Sequence, residues 1–297
     1  MTAAEDGAVS RTLWERLQEW IRRLGHKPKI GLALGTGGAW GVAHIGVLSV
    51  FHELEIPISY LAGCSAGAFV GSLYAGGIEG AALESCGRTY GWRDAGRLRV
   101  PPTMGLASNE RMATYLKKRI GEPRFDQLRL PFFVVATNLV TGQRKIFKEG
   151  PVIPAVRASS AIPGVFEPVE IDGELYCDGG LVDRVPCDVL RAAGAAVVIG
   201  VDLGRHEQSW RPHAITEVIG RAIEIVTARQ GEDSVKSADL LIRPSLIGMS
   251  EFNFDRNEIL LKRGRQAALE QLTQWHQLHT PISETSPNPE ISEAKAD

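Results

Sequence analysis

From Lys29 onward the chain alternates short apolar runs with stretches of helical spacing. Residues 30–34 read as a strand, 42–54 as a helix, 58–62 as a second strand and 66–75 as a helix of small residues. Further along, FFVVATNLV (132–140), AAVVIGVDL (195–203) and ADLLIRPS (238–245) are apolar, β-branched runs of strand length. Between and after them, 185–193, 214–229 and 255–278 carry helical periodicity. The strands lack strict apolar–polar alternation, as expected where helices cover both faces of a parallel sheet. The pattern predicts an α/β fold: a three-layer sandwich around a mostly parallel central sheet.

The flanks differ from this middle part, residues 29–279. In 11–24, RTLWERLQEWIRRL, the apolar residues Trp14, Leu17, Ile21 and Leu24 recur at helical spacing among several arginines. Such a face either docks on the main domain or lies in the plane of a membrane, where tryptophan and arginine favour the interface. Residues 1–28 are therefore expected as an N-terminal amphipathic helix segment, with peripheral membrane contact through 11–24 as one role. Residues 280–297 are rich in Pro, Ser and Glu and are expected to be a disordered tail. The segment 88–108 breaks the rhythm with Gly, Arg and aromatic residues and reads as a lid, a substrate-access loop or a plain connection.

Composition narrows the function classes. The formal net charge is -2 over 297 residues, so no global basic field favours nucleic acid. No apolar run is long enough to span a bilayer, and the first residues do not resemble a signal peptide. Cys64, Cys86, Cys177 and Cys187 show no CxxC spacing and sit among apolar neighbours, as small buried thiols do in a reducing compartment. The expectation is a cytoplasmic protein, with no oligomeric state legible.

Three short motifs carry the chemistry. Gly63-Cys64-Ser65-Ala66-Gly67 fits G-x-S-x-G between a predicted strand and a predicted helix. There a serine sits on a tight turn, its hydroxyl above the sheet and a helix N-terminus beside it. In GTGGAWG (35–41) the amides of Gly37 and Gly38 open the next helix, where such groups bind phosphate or a reaction oxyanion. A dinucleotide loop needs a sixth-position glycine counted from Gly35, but Trp40 stands there, so that frame fails. Asp178 precedes Gly179 and Gly180 in YCDGGLVDRVP and reads as a base able to take a serine proton, or as a plain Asp-Gly turn. Among the histidines, His44 lies inside an apolar helix, and only His206 and His213, flanking EQSWRP, offer a Ser-His-Asp alternative.

Taken in order, the glycine loop, the G-x-S-x-G elbow and the D-G-G resemble the patatin-like phospholipases, a bacterial single-domain branch similar to neuropathy-target-esterase proteins. HIGVL after the loop and the long block 158–190, ASSAIPGVFEPVEIDGELYCDGGLVDRVPCDVL, strengthen the resemblance, which covers about 30–272. It implies a patatin-like α/β domain and a lipid acyl hydrolase with a Ser–Asp dyad: Ser65 the nucleophile, Asp178 the base, Gly37 and Gly38 the oxyanion hole. Gly35, Gly41, Gly63, Gly67, Gly179 and Gly180 support the motifs. The partner implied is a lipid or fatty-acyl ester, with no metal or organic cofactor. The family commonly carries Arg or Lys where Trp40 stands, and often Gly where Thr36 stands. That departure raises the alternative of a lipid-binding or regulatory protein with weak turnover. It also sets a test: Trp40→Arg raises turnover if a cation helps there, and otherwise the indole packs or lines the acyl site.

Overall fold

The computed structural model describes residues 29–204 and 211–279. The expected N-terminal helix, the tail and His206 lie outside these residues. No helix among those described is long and apolar enough to cross a membrane.

The chain opens with β1 (Ile30–Leu34), a short 3-10 turn at Gly38–Gly41 and α1 (Val42–Glu53). Then come β2 (Tyr60–Cys64), α2 (Ala66–Ala75), α3 (Gly80–Thr89) and the single turn α4 (Trp92–Ala95). Next are β3 (Arg97–Leu98), β4 (Gly105–Ser108), α5 (Glu110–Ile120), β5 (Phe132–Asn138), β6 (Arg144–Phe147) and α6 (Val152–Ser159). The remainder is β7 (Gly164–Phe166), β8 (Val169–Ile171), β9 (Glu174–Asp178), α7 (Cys187–Ala192), β10 (Val197–Val201), α8 (Ile215–Ser234), β11 (Leu240–Ile242) and α9 (Asn257–His279).

The central sheet runs β11-β10-β1-β2-β5-β9-β8, with β6 also on β5. The run from β11 to β5 is parallel, whereas β6, β8 and β9 pair antiparallel. Every residue of β1 and β10 is buried, which explains their unbroken apolar reading. Their two faces pack into different clusters. Ile30, Leu32, Leu34, Val197, Ile199 and Val201 join the larger core with α1, α2, α6 and α9. Ala33 and Val198 point the other way, against Val189 and Leu190 of α7. The result is the expected helix–sheet–helix sandwich.

The segment 88–108 is neither a bare loop nor a separate lid. It supplies α4 and the strands β3 and β4 of a second small sheet, in which β4 pairs parallel with β7. Two short strands and a single helical turn are below the length at which periodicity shows in sequence.

The register around β5 positions the site. Cys64 pairs with Val135 from β2, and Asp178 pairs with Ala136 from β9. Because β6 pairs Val134 to Thr137, it fills one edge of β5, and β2 and β9 follow one another along the opposite edge. The end of β2 therefore meets the end of β9, which brings Ser65 and Asp178 face to face.

Candidate active site

Ser65 occupies the turn between β2 and α2 with φ 54 and ψ -119, a conformation rarely taken by a residue with a Cβ. Its neighbours hold it there. The Ser65 N–H donates to Ser159 Oγ at 2.8 Å, and Ser159 Oγ donates to the Val135 carbonyl at 2.5 Å. Ser160 Oγ donates to the Ser65 carbonyl at 3.2 Å. Gly67 lies so close to the Leu34 carbonyl that any Cβ would collide, and its N–H donates to the Gly35 carbonyl at 3.1 Å.

Ser65 Oγ donates to Asp178 Oδ2 at 2.6 Å. The other carboxylate oxygen, Oδ1, accepts the Gly180 N–H at 2.8 Å, which explains the first turn of the D-G-G segment. The Asp178 N–H donates to Ala161, and Thr137 Oγ1 donates to the Asp178 carbonyl at 2.8 Å. Gly179 fits only as glycine, since a Cβ would strike the Val135 carbonyl. With Ser65 and Asp178 only 5% and 7% exposed, burial pushes the Asp178 carboxyl up to about 6, partly offset by the bonds from Ser65 and Gly180. An ionised carboxylate at neutral pH, within reach of a hydroxyl proton, is poised as a base.

The glycine loop lies alongside. The N–H groups of Gly35, Thr36, Ala39 and Trp40 donate to the carbonyls of Val201, Arg184, Glu251 and Gly37. Those of Gly37 and Gly38 find no acceptor among the described residues, and both line the same cavity as Ser65. His44 Nε2 donates to the Gly35 carbonyl at 2.8 Å. Burial pulls the imidazole down to about 4, so it is neutral and serves to fix the loop. His213 is exposed and does not line the cavity.

The cavity holds about 1260 Å³, its open mouth included. Ser65, Asp178, Gly37 and Gly38 sit in its wall, and beyond them it is lined by apolar residues such as Ile45, Phe69, Val70, Leu73 and Met112. Trp40 is 1% exposed and forms part of this wall, so the indole packs and lines rather than standing where a solvated cation could.

The sequence pattern of the family described as Patatin-like phospholipase matches residues 32–191, more than half of the chain. The chain belongs to the patatin-like phospholipase family. An uncharacterized NTE family protein of Mycobacterium tuberculosis (strain ATCC 25618 / H37Rv) is 34% identical over 207 residues, covering 68% of this chain and 57% of that protein. This patatin-like chain thus spans less than two thirds of that relative's length. Lysophospholipase NTE1 of Yarrowia lipolytica is 35% identical over 181 residues, covering 59% of this chain and 13% of that one. Among solved structures, VipD from Legionella pneumophila aligns with a TM-score of 0.49 at 13% identity, covering 86% of this chain and 67% of that chain.

The motif residues of this patatin-like domain converge, but their supports were not legible one by one. Ser159, Ser160 and Thr137 bind the backbone of the two catalytic candidates. The first two lie in the 158–190 block, whose length marks the family without showing that its serines reach the elbow.

Proposed function

We propose that this patatin-like protein is a serine acyl-ester hydrolase that releases fatty acids from lipid esters through a Ser65–Asp178 dyad. The observation that carries the reading is the 2.6 Å bond from Ser65 Oγ to Asp178 Oδ2 in the wall of a deep apolar cavity. As Ser65 Oγ attacks the ester carbonyl carbon, its proton passes to Asp178 Oδ2, and the carbonyl oxygen becomes an oxyanion. The Gly37 and Gly38 N–H groups, which have no acceptor of their own among the described residues, stabilise that charge. The N-terminus of α2 adds its positive end beside the nucleophile.

Collapse of the tetrahedral intermediate breaks the bond to the alcohol oxygen, which leaves with the proton from Asp178. Asp178 then takes a proton from water, and the hydroxide attacks the acyl-serine. Breakdown returns the proton to Ser65 and frees the fatty acid. The apolar wall receives the acyl chain, whose burial contributes about 0.8 kcal/mol per CH₂.

The name of the Yarrowia relative makes a lysophospholipid the first lipid to test. Wild type should release fatty acid from a lysophospholipid and from p-nitrophenyl acyl esters, and Ser65→Ala should release none from either. Full activity in Ser65→Ala would overturn the reading.

A further inference from the structure

The cavity contains one group that the hydrolytic steps do not use. Arg184 lines it, yet the residue is only 5% exposed. Its guanidinium lies over Gly204, another lining residue, so closely that a Cβ on Gly204 would overlap it.

Among the described residues the guanidinium is only weakly partnered. Its nearest carboxylate is Asp202, with Nη2 to Oδ1 at 3.9 Å, beyond hydrogen-bond distance. Asp202 is already engaged: Oδ1 accepts the Gly204 N–H at 3.1 Å and Oδ2 accepts Arg243 Nε at 3.2 Å. No hydrogen bond joins the Arg184 side chain to any described residue. With no acceptor among the described residues, its N–H donors are available to an oxyanion ligand. A phosphate matches the planar fork of the guanidinium and accepts two parallel bonds.

Position adds to the chemistry. The Arg184 carbonyl accepts the Thr36 N–H at 3.0 Å, so Arg184 is tied to the strand of loop that continues into Gly37. Among the described residues lining the cavity, Arg184 is the sole cation; the charged others are Asp178 and Glu251. In a glycerophospholipid the phosphate lies a few bonds from the acyl ester, and Ser65 and Arg184 line one cavity.

Resting on the hydrolase reading above, we infer that Arg184 recognises the phosphate of a phospholipid or lysophospholipid headgroup and so selects phosphorylated lipids over neutral acylglycerols.

The test compares 1-oleoyl-lysophosphatidic acid with 1-oleoylglycerol, which differ only by the phosphate, each in the same neutral mixed micelles. Wild type should prefer the phosphorylated lipid in kcat/KM. Arg184→Gln should lower that preference by about 10- to 100-fold, chiefly through KM, since a charge-assisted hydrogen bond carries about that discrimination. Arg184→Lys should recover part of it. An unmoved ratio in a folded Arg184→Gln would overturn the inference, as would an equal fall for both lipids in both variants, which would mark a structural role. If Arg184→Gln does not fold, wild type still decides: equal kcat/KM for the two lipids would overturn the inference. Inorganic phosphate distinguishes the source of the anion. Arg184-dependent inhibition by phosphate with no preference between the lipids would mark a free-phosphate site and overturn the headgroup assignment. If wild type hydrolyses neither lipid nor p-nitrophenyl esters, the hydrolase reading itself fails, whereas Ser65-dependent hydrolysis of both lipids without preference sinks only this inference.

Discussion

Ser65 Oγ and Asp178 Oδ2 stand 2.6 Å apart although 113 residues separate them in the chain. The sheet makes that meeting unavoidable: β2 ends opposite Val135 of β5, and β9 ends opposite the next residue, Ala136. Asp178→Asn keeps the size of the side chain and its acceptor for Gly180 but removes the base. Its kcat on a p-nitrophenyl acyl ester should fall about 10²- to 10⁴-fold with the melting temperature retained or raised. Wild-type turnover in Asp178→Asn would remove the dyad.

Burial places the Asp178 carboxyl at about 6, above its ordinary 3.8. The proposed dyad needs the carboxylate, so kcat/KM should rise with pH along an acid limb centred near 6 and then level off. The stability effect runs the opposite way. A carboxyl whose pKa is raised on folding contributes stability below pH 3.8 that is lost as pH rises through 6. Asp178→Asn should therefore gain stability over wild type at pH 8, by about 3 kcal/mol for this group alone, and the gain should vanish below about pH 4. Denaturant melts at pH 4 and pH 8 check this. The same offset at both would contradict it.

The φ of 54 at Ser65 costs about 1–3 kcal/mol for any residue with a Cβ. Ser65→Gly and Ser65→Ala lose the same hydroxyl, so their difference isolates the backbone. Ser65→Gly should melt above Ser65→Ala; the reverse order would show that the turn is unstrained.

Leu73 is fully buried and lines the apolar part of the cavity. Leu73→Phe narrows that space and should lower the ratio of long-chain to butyrate ester hydrolysis, while butyrate kcat/KM changes less. Unchanged chain-length preference would place the acyl chain elsewhere.

Trp40 is buried in the cavity wall. Trp40→Arg replaces a packed indole with a cation in a buried wall. It should lower the melting temperature, as losses of about 3–5 kcal/mol accompany removal of a buried tryptophan, and should not raise turnover. A faster, equally stable variant would restore the view that a cation is missing from this loop.

Much of this architecture was legible in the sequence because it rests on local signals. The strand Ile30–Leu34 and the helix Ala66–Ala75 fall where their apolar and small residues place them. The apolar pattern places the second strand at 58–62, but it runs Tyr60–Cys64. Its bounds follow from pairing with β1 and β5, which places Ser65 at its end and which no local pattern reports. The helix Glu110–Ile120 carries only a weak apolar signal, because only Met112 and Leu116 of it are buried. Of the site, Ser65, Asp178 and the glycine loop announce themselves through tight turns with steric demands. Ser159 and Arg184 carry no such signature. Ser159 meets Ser65 after β2, and Arg184 meets Thr36 after β1, only when chain from beyond residue 150 returns, which is a property of topology.

A serine-reactive fluorophosphonate tests the central claim most directly, with the modified residue read by mass spectrometry. Wild type should be labelled at Ser65, Ser65→Ala should not be labelled, and Asp178→Asn should be labelled far more slowly. Labelling at another residue, or an Asp178→Asn rate equal to wild type, would contradict the account.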